Sequence, residues 1–213
     1  MTSENRFLTY LQSLDRGNTK LLDQIEEEAL AEQVPIIRKE MQGLLKFLLA
    51  LKKPKKILEV GTAVGFSAIL LLTYAPEGAE LSTIENYEKR IPVAKKNFQR
   101  ASLEQRITLY EGDAAEILKQ LTGSYDLIFM DAAKGQYLAF LPEVVRLLAA
   151  GGLLVSDNVL RDGELIESRF AVTRRNRTIH RRMRDYLYEL THREDFVTTI
   201  LDLGDGVALS VKQ

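Results

Sequence analysis

Asp131 and the pair Asp157-Asn158 each end a short apolar run, Tyr125–Met130 and Leu153–Ser156. Runs of this kind read as buried parallel strands, and in a doubly wound sheet the carboxyl ends of these two strands are neighbours. Three oxygen ligands from two strands can therefore converge on one point. The chain has no cysteine, and the set contains no histidine. Oxygen-only donors favour a hard cation, Mg²⁺ first, with Mn²⁺ or Ca²⁺ as alternatives. Lys134, one helical turn past Asp131, can face the same point. The plainer alternative is that both acids only cap the helices that follow them.

A second constellation lies upstream. Ile57–Val60 is a short apolar run, a glycine-bearing turn with Gly61 and Gly65 follows, and Ala68–Leu72 is a helical pattern. This strand, turn and helix would open a doubly wound α/β sheet, with the turn at the strand end where such sheets bind ligands. A dinucleotide fingerprint would need glycine at 63 and 66, where the chain has Ala63 and Phe66, so a pyrophosphate site is disfavoured. Glu85 closes the second strand, where a carboxylate can accept both hydroxyls of a ribose. An acid that is merely solvated at a strand end is the alternative there.

The elements that must position these residues follow from periodicity. Leu81–Glu85, Ile107–Tyr110, Tyr125–Asp131 and Leu153–Ser156 read as strands after the first, and 88–101, 115–121 and 138–148 as the helices between them. Gly151-Gly152 reads as a turn before the fifth strand. Phe196–Leu201 and Val207–Val211, joined by Gly204-Asp205-Gly206, look like a closing hairpin. The expected architecture is a Rossmann-like, mostly parallel seven-stranded sheet with helices on both faces. Residues 1–51 form a helical extension with three apolar stripes, suited to core or dimer packing, and Ile36 sits in a link that can close over a cofactor. The 213 residues suit one domain, 1–213, with the sheet in 52–213. A net charge of −1 gives no global pointer to nucleic acid. The first residues precede no long apolar segment, so neither a signal peptide nor a membrane span is expected, and the cytoplasm is the expected setting.

Glu59-Val60-Gly61-Thr62-x-x-Gly65-x-Ser67 resembles motif I of the Rossmann-like S-adenosylmethionine (SAM) methyltransferases. With Glu85, Gly112-Asp113-Ala114, Asp131-x-x-Lys134 and Asp157-Asn158, it follows the order and spacing of the cation-dependent O-methyltransferases, such as the catechol and caffeoyl-coenzyme A enzymes. The resemblance implies SAM held by Ile36, Glu59, Gly61, Ser67, Glu85, Asp113, Ala114 and Asp131, with Glu59 serving the methionine ammonium and Ser67 its carboxylate. It implies a divalent cation on Asp131, Asp157 and Asn158, with Lys134 and Asp131 as catalytic residues. It also implies a homodimer, with the N-terminal helices as a candidate contact.

Between 169 and 184 the chain carries seven arginines and no acid. Placed on a helix, Arg174, Arg177, Arg181 and Arg184 share a face opposite Ile179, Met183, Tyr186, Leu187 and Leu190. Such a face can be merely solvated, but guanidinium forks also suit phosphates. This segment and Gly204-Asp205-Gly206-Val207 resemble the bacterial branch that methylates 5-hydroxyuridine at the tRNA wobble position. RNA contacts at Arg174, Arg177 and Arg181 are then expected. A small catechol or phenol remains the alternative substrate, and a non-catalytic SAM- or nucleotide-binding module a second alternative.

Overall fold

A computed structural model describes residues 3–160, 165–168, 171–174 and 176–213; Arg169, Arg175 and the side chain of Leu8 fall outside the described set. Seven strands form one sheet in the order β3-β2-β1-β4-β5-β7-β6. They are β1 (Lys56–Val60), β2 (Glu80–Glu85), β3 (Ile107–Glu111), β4 (Tyr125–Met130), β5 (Leu148–Asp157), β6 (Phe196–Leu201) and β7 (Val207–Lys212). The first five pair in parallel, while β7 runs antiparallel between β5 and β6. The expected mostly parallel seven-stranded sheet is the one observed.

The helices are α1 (Ser3–Ser13), α2 (Lys20–Ala31), α3 (Lys39–Lys52), α4 (Phe66–Tyr74), α5 (Ile91–Arg100), α6 (Ala114–Gln120), α7 (Tyr137–Leu147) and α8 (Arg177–His192), with a 3₁₀ turn at Lys134–Gln136. Side chains alternate across the sheet as a strand requires. Ile57, Phe129 and Val155 enter a core shared with α2, α3 and α4. Leu58, Ile128, Met130 and Leu154 enter the opposite core with α7 and α8. Every residue of α4 from Phe66 to Leu72 is buried, because α2 and α3 pack over the face that the sheet leaves open. An apolar helix that is hydrophobic all round needs such a cover, and the N-terminal helices supply it.

Two expectations are corrected, and a third is narrowed. Gly151-Gly152 is not a turn before β5 but lies inside it. The β4–β5 register shifts between Tyr125 and Leu127, Gly151 has φ +69°, and a side chain on Gly152 would strike the Ala149 carbonyl. That is a strand irregularity which glycine alone accommodates. The helix expected from 88 starts at Ile91, with Pro92 in its first turn, as proline prefers. The first apolar stripe packs into neither core: Leu11 is 47% and Leu14 60% exposed, beside exposed Phe7 and Tyr10.

The strand ends are held in line by a few backbone bonds. Gly61 N donates to Ile84 O at 3.0 Å, Asp131 N to Val60 O at 3.1 Å and Gly112 N to Glu85 O at 2.9 Å. Gly61 has φ +94°, and any Cβ there would press on the Asp131 carbonyl oxygen. Gly61→Ala therefore combines a left-handed backbone with a backbone clash, and should cost about 2–4 kcal/mol. Denaturant unfolding checks this; a loss below about 1 kcal/mol would mean that the turn relaxes freely.

Candidate functional site

The carboxyl ends of β1, β2, β4 and β5 open into one crevice of about 620 Å³. It lies where the strand order reverses, with β2 on one side of β1 and β4 on the other, the place where open α/β sheets bind ligands. The link before α3 (Ile36) and the Leu203–Asp205 turn also line it.

Glu85 is nearly buried, and three backbone N–H groups fix it. Ala63 N donates to Oε2 at 2.8 Å, while Asn86 N and Tyr87 N donate to Oε1 at 2.9 and 2.8 Å. Ala63 itself has φ +48°, an uncommon conformation for alanine, and the bond to Glu85 is one contact that holds it. A carboxylate oriented by three donors keeps lone pairs for a diol. Gly61, Ser67, Asp113 and Ala114 line the crevice with Glu85. Asp113 also caps α6, accepting from Ala115 N at 2.7 Å.

Glu59 sits differently from the other motif residues. It is fully buried beneath the glycine turn and does not line the crevice. Thr83 Oγ1 donates to its Oε2 at 2.6 Å. Glu59 Oε1 and Thr62 Oγ1 are buried with no hydrogen-bond partner among the described residues. Burial pushes the Glu59 carboxyl up from 4.5 to about 7, against the nearby hydroxyls of Ser67, Thr62 and Thr83, which favour the charged form.

Across the crevice, Asp131, Lys134, Asp157 and Asn158 line the same space. Asn158 ties the two acids together: its backbone N donates to Asp157 Oδ1 at 2.7 Å and its Nδ2 to Asp131 Oδ1 at 3.3 Å. It does so at φ +59°, a left-handed conformation that asparagine tolerates better than most residues. Tyr137 is wholly buried, and its hydroxyl donates toward the Met130 and Asp157 carbonyls at 3.0 and 3.1 Å, clamping the ends of β4 and β5. Burial raises both acids above the usual range; Asp131 pushes Asp157 further up, while Lys134 and Asn158 draw Asp131 back down. Neither acid caps a helix, since Gln136 precedes α7 and Asn176 precedes α8. Two carboxylates and one amide form the set; among the described residues no three Asp, Glu, His or Cys gather as a metal cluster.

Two crevice residues were missed in the sequence. Arg38 pairs with Asp205 at 2.7 Å, joining the start of α3 to the β6–β7 turn over the site. No local pattern marks this contact. The arginine segment also needs correction: α8 begins only at Arg177, so Arg174 precedes the helix and shares no face with it. Arg174 and Arg181 are exposed, while Arg177 is half-buried with Nε donating to Val172 O at 3.2 Å.

A sequence profile described as O-methyltransferase matches residues 12–213. The chain belongs to the O-methyltransferase family. A catechol O-methyltransferase from Niastella koreensis is 39% identical over 127 residues, 58% of each chain. Another, from Mycobacterium tuberculosis, is 36% identical over 64% of this chain and 63% of its own. The match thus spans about three-fifths of these two relatives. Caffeoyl-CoA O-methyltransferase 2 from Populus trichocarpa is 31% identical over 78% of this chain and 70% of its own. Among solved structures, an SAH-bound methyltransferase from Podospora anserina superposes with a TM-score of 0.88 at 25% identity, covering 100% of this chain and 97% of that one.

In this member of the O-methyltransferase family, Glu59 gives a stability test that needs no ligand. An acid whose pKa rises on folding holds a proton that the unfolded chain has released, so stability is full below the ordinary value of 4.5 and falls as pH rises through about 7. The cofactor-free protein should lose up to about 3 kcal/mol between about pH 5 and about pH 8 from this group, at roughly 1.4 kcal/mol per pH unit crossed. Glu59→Gln should flatten that part of the pH profile in denaturant titrations. An unchanged slope would show that Glu59 is charged in the fold.

Proposed function

We propose that this O-methyltransferase uses SAM and a divalent cation, Mg²⁺ or a similar ion, to methylate 5-hydroxyuridine at the tRNA wobble position to 5-methoxyuridine. The observation that carries the chemistry is the meeting of Asp131, Lys134, Asp157 and Asn158 with Glu85 and the Gly61 turn in one crevice.

The residues fit both groups. For SAM, Glu85 is pre-oriented for the ribose hydroxyls, Asp113 and Ala114 flank the adenine end, and Gly61, Ser67, Ile36 and Asp131 surround the methionine end. Glu59 lies beneath, and the positive charge of bound SAM would favour its ionised form. For the cation, Asp131, Asp157 and Asn158 offer hard oxygen donors, and the two acids resist ionising together without a positive neighbour. When bound, SAM supplies an electrophilic methyl, and a divalent ion lowers the pKa of a hydroxyl beside it. Lys134 stands at the same rim to accept or steer the hydroxyl proton. Asp131, Asp157 and Asn158 would hold the cation where it meets the oxygen pair of the substrate, and that placement would make methyl transfer effectively unimolecular.

The 5-hydroxyl and 4-oxo groups of the base are adjacent oxygens, arranged as in a catechol. A wobble base is already single-stranded, so presenting it costs little unpairing. The exposed Arg174 and Arg181, with Arg177 beside them, are the proposed phosphate contacts. A second copy of the chain on the exposed apolar side of α1 would complete a homodimer, and the cytoplasm is the proposed setting. No helix among the described residues is long and apolar enough to cross a membrane. The second reading, a small catechol as substrate, is favoured by the names of the relatives above. Mass spectrometry of tRNA nucleosides from a deletion strain separates the two: loss of 5-methoxyuridine with build-up of 5-hydroxyuridine is expected, and an unchanged nucleoside profile refutes the tRNA substrate.

Chelation by EDTA should abolish turnover, and Mg²⁺ or Mn²⁺ should restore it. Asp157→Ala should lose metal-dependent rate yet still bind SAM in calorimetry. Lys134→Ala should lower kcat by about 10²–10⁴, the range for a positioned acid–base group. Full activity in chelator would remove the cation from the mechanism.

The arginines allow a separate test. RNA affinity should fall with salt by about 0.7 log unit per log unit of salt for each single-strand phosphate contact. Reversing Arg174, Arg177 and Arg181 to Glu should flatten that slope and abolish tRNA methylation while SAM still binds. Wild-type tRNA methylation by the triple variant would show that these side chains are only solvated.

A further inference from the structure

A second depression lies on the far side of the Lys134 turn. It is an open groove of about 510 Å³, lined by residues 132–136 and by Ile179 and Arg182 of α8. Ala132, Ala133, Lys134 and Gln136 line the main crevice too, so crevice and groove share one wall. Arg182 Nη1 donates to the Gly135 carbonyl at 3.0 Å. α8 lies against the turn closely enough that a side chain on Gly135 would touch Ile179 Cγ1 at 3.7 Å and Arg182 Nη1 at 4.0 Å. This bond fixes the guanidinium in place, and its remaining N–H groups have no other hydrogen-bond partner among the described residues. The groove lining holds two cations, Lys134 and Arg182, and no acid.

Arg182 is exposed like Arg181 and Arg184, but those two are not part of the groove. A long arginine on an open surface loses much rotamer freedom when it grips an anion. Arg182 has part of that freedom removed already by the Gly135 carbonyl. A planar fork held at one end and open at the other suits the oxygens of a phosphate. The second cation across the groove raises the local potential for the same charge.

We propose that this groove is an anion subsite for the methyl acceptor, and that Arg182 is the specificity-determining residue that binds a phosphate carried on the substrate next to the ring being methylated. The assignment rests on the main crevice being the site of O-methyl transfer. It does not require the acceptor to be RNA, because a nucleotide phosphate and a phosphorylated small phenol present the same group.

Two matched pairs of acceptors test it on the full-length protein with SAM and Mg²⁺: 5-hydroxyuridine with its 5′-monophosphate, and 3,4-dihydroxybenzyl alcohol with its phosphate ester. In at least one pair the wild type should favour the phosphorylated member in kcat/KM, mainly through KM. In Arg182→Ala that preference should drop about tenfold, the loss of one charged hydrogen-bonding group, and Arg182→Lys should restore part of it. Melting curves confirm that both variants fold, and a general loss of fold would depress both members of a pair alike without changing their ratio. A preference in the nucleotide pair assigns the phosphate to a nucleic acid; one confined to the benzyl pair keeps the subsite and rejects the RNA substrate. Turnover without preference, or a preference untouched in Arg182→Ala, overturns the subsite. Turnover of neither pair overturns the O-methyl-transfer reading beneath it.

Discussion

Two carboxylates at the ends of neighbouring strands, Asp157 buried and Asp131 half-buried, set the terms for this site. Asp131 and Asp157 stand at the ends of β4 and β5, and the first makes it harder for the second to ionise. Like charges removed from water destabilise a fold unless polar groups compensate them. The compensation is local and dense. Asn158 donates to both acids, one through its backbone and one through its side chain. Tyr137 holds the two strand ends together through their carbonyls. Lys134 adds a positive charge that favours the ionised form of Asp131. The arrangement is therefore held by neutral donors as well as by charge, as a preorganised site requires.

Most of this was legible in the sequence because parallel sheets convert local order into spatial adjacency. Apolar runs marked the strands, and an acid just beyond each run marked the strand end. Once the order was doubly wound, Asp131 and Asp157 had to be neighbours. What escaped depends on pairing between distant segments. Glu59 read as a crevice residue because motif spacing puts it near the turn. The register β1 takes beside β2 sets it opposite Thr83 instead, under the turn. The Gly151-Gly152 pair read as a turn because glycine signals both turns and strand irregularities, and only the β4 register distinguishes them. Arg174 was placed on the α8 face because periodicity continues through it; the helix begins at Arg177, after Asn176, and no charge pattern shows where a helix starts. Arg182, in turn, was hidden among seven arginines of similar spacing.

The antiparallel strand explains how the far end of the chain reaches the site. In a parallel sheet every connection after a strand leaves from the carboxyl edge, so an acid in the loop before a parallel strand would lie at the opposite edge. β7 is reversed, and its start at Val207 pairs with Asp157. The turn that precedes it, Gly204-Asp205-Gly206, is thereby delivered to the crevice. Two backbone bonds, Val159 N to Gly206 O and Leu160 N to Asp205 O, both 2.9 Å, fasten that turn to the segment leaving Asn158. Gly206 is required there, since a Cβ would run into Leu160. Asp205 then meets Arg38 at the start of α3. The helical extension therefore does two things: α2 and α3 cover the apolar α4 that carries the glycine turn, and the residues just before α3 help to close the crevice that this turn opens. A change that loosened the packing of α2 and α3 would disturb the crevice through both routes, even though Asp131, Lys134, Asp157 and Asn158 all lie outside these helices.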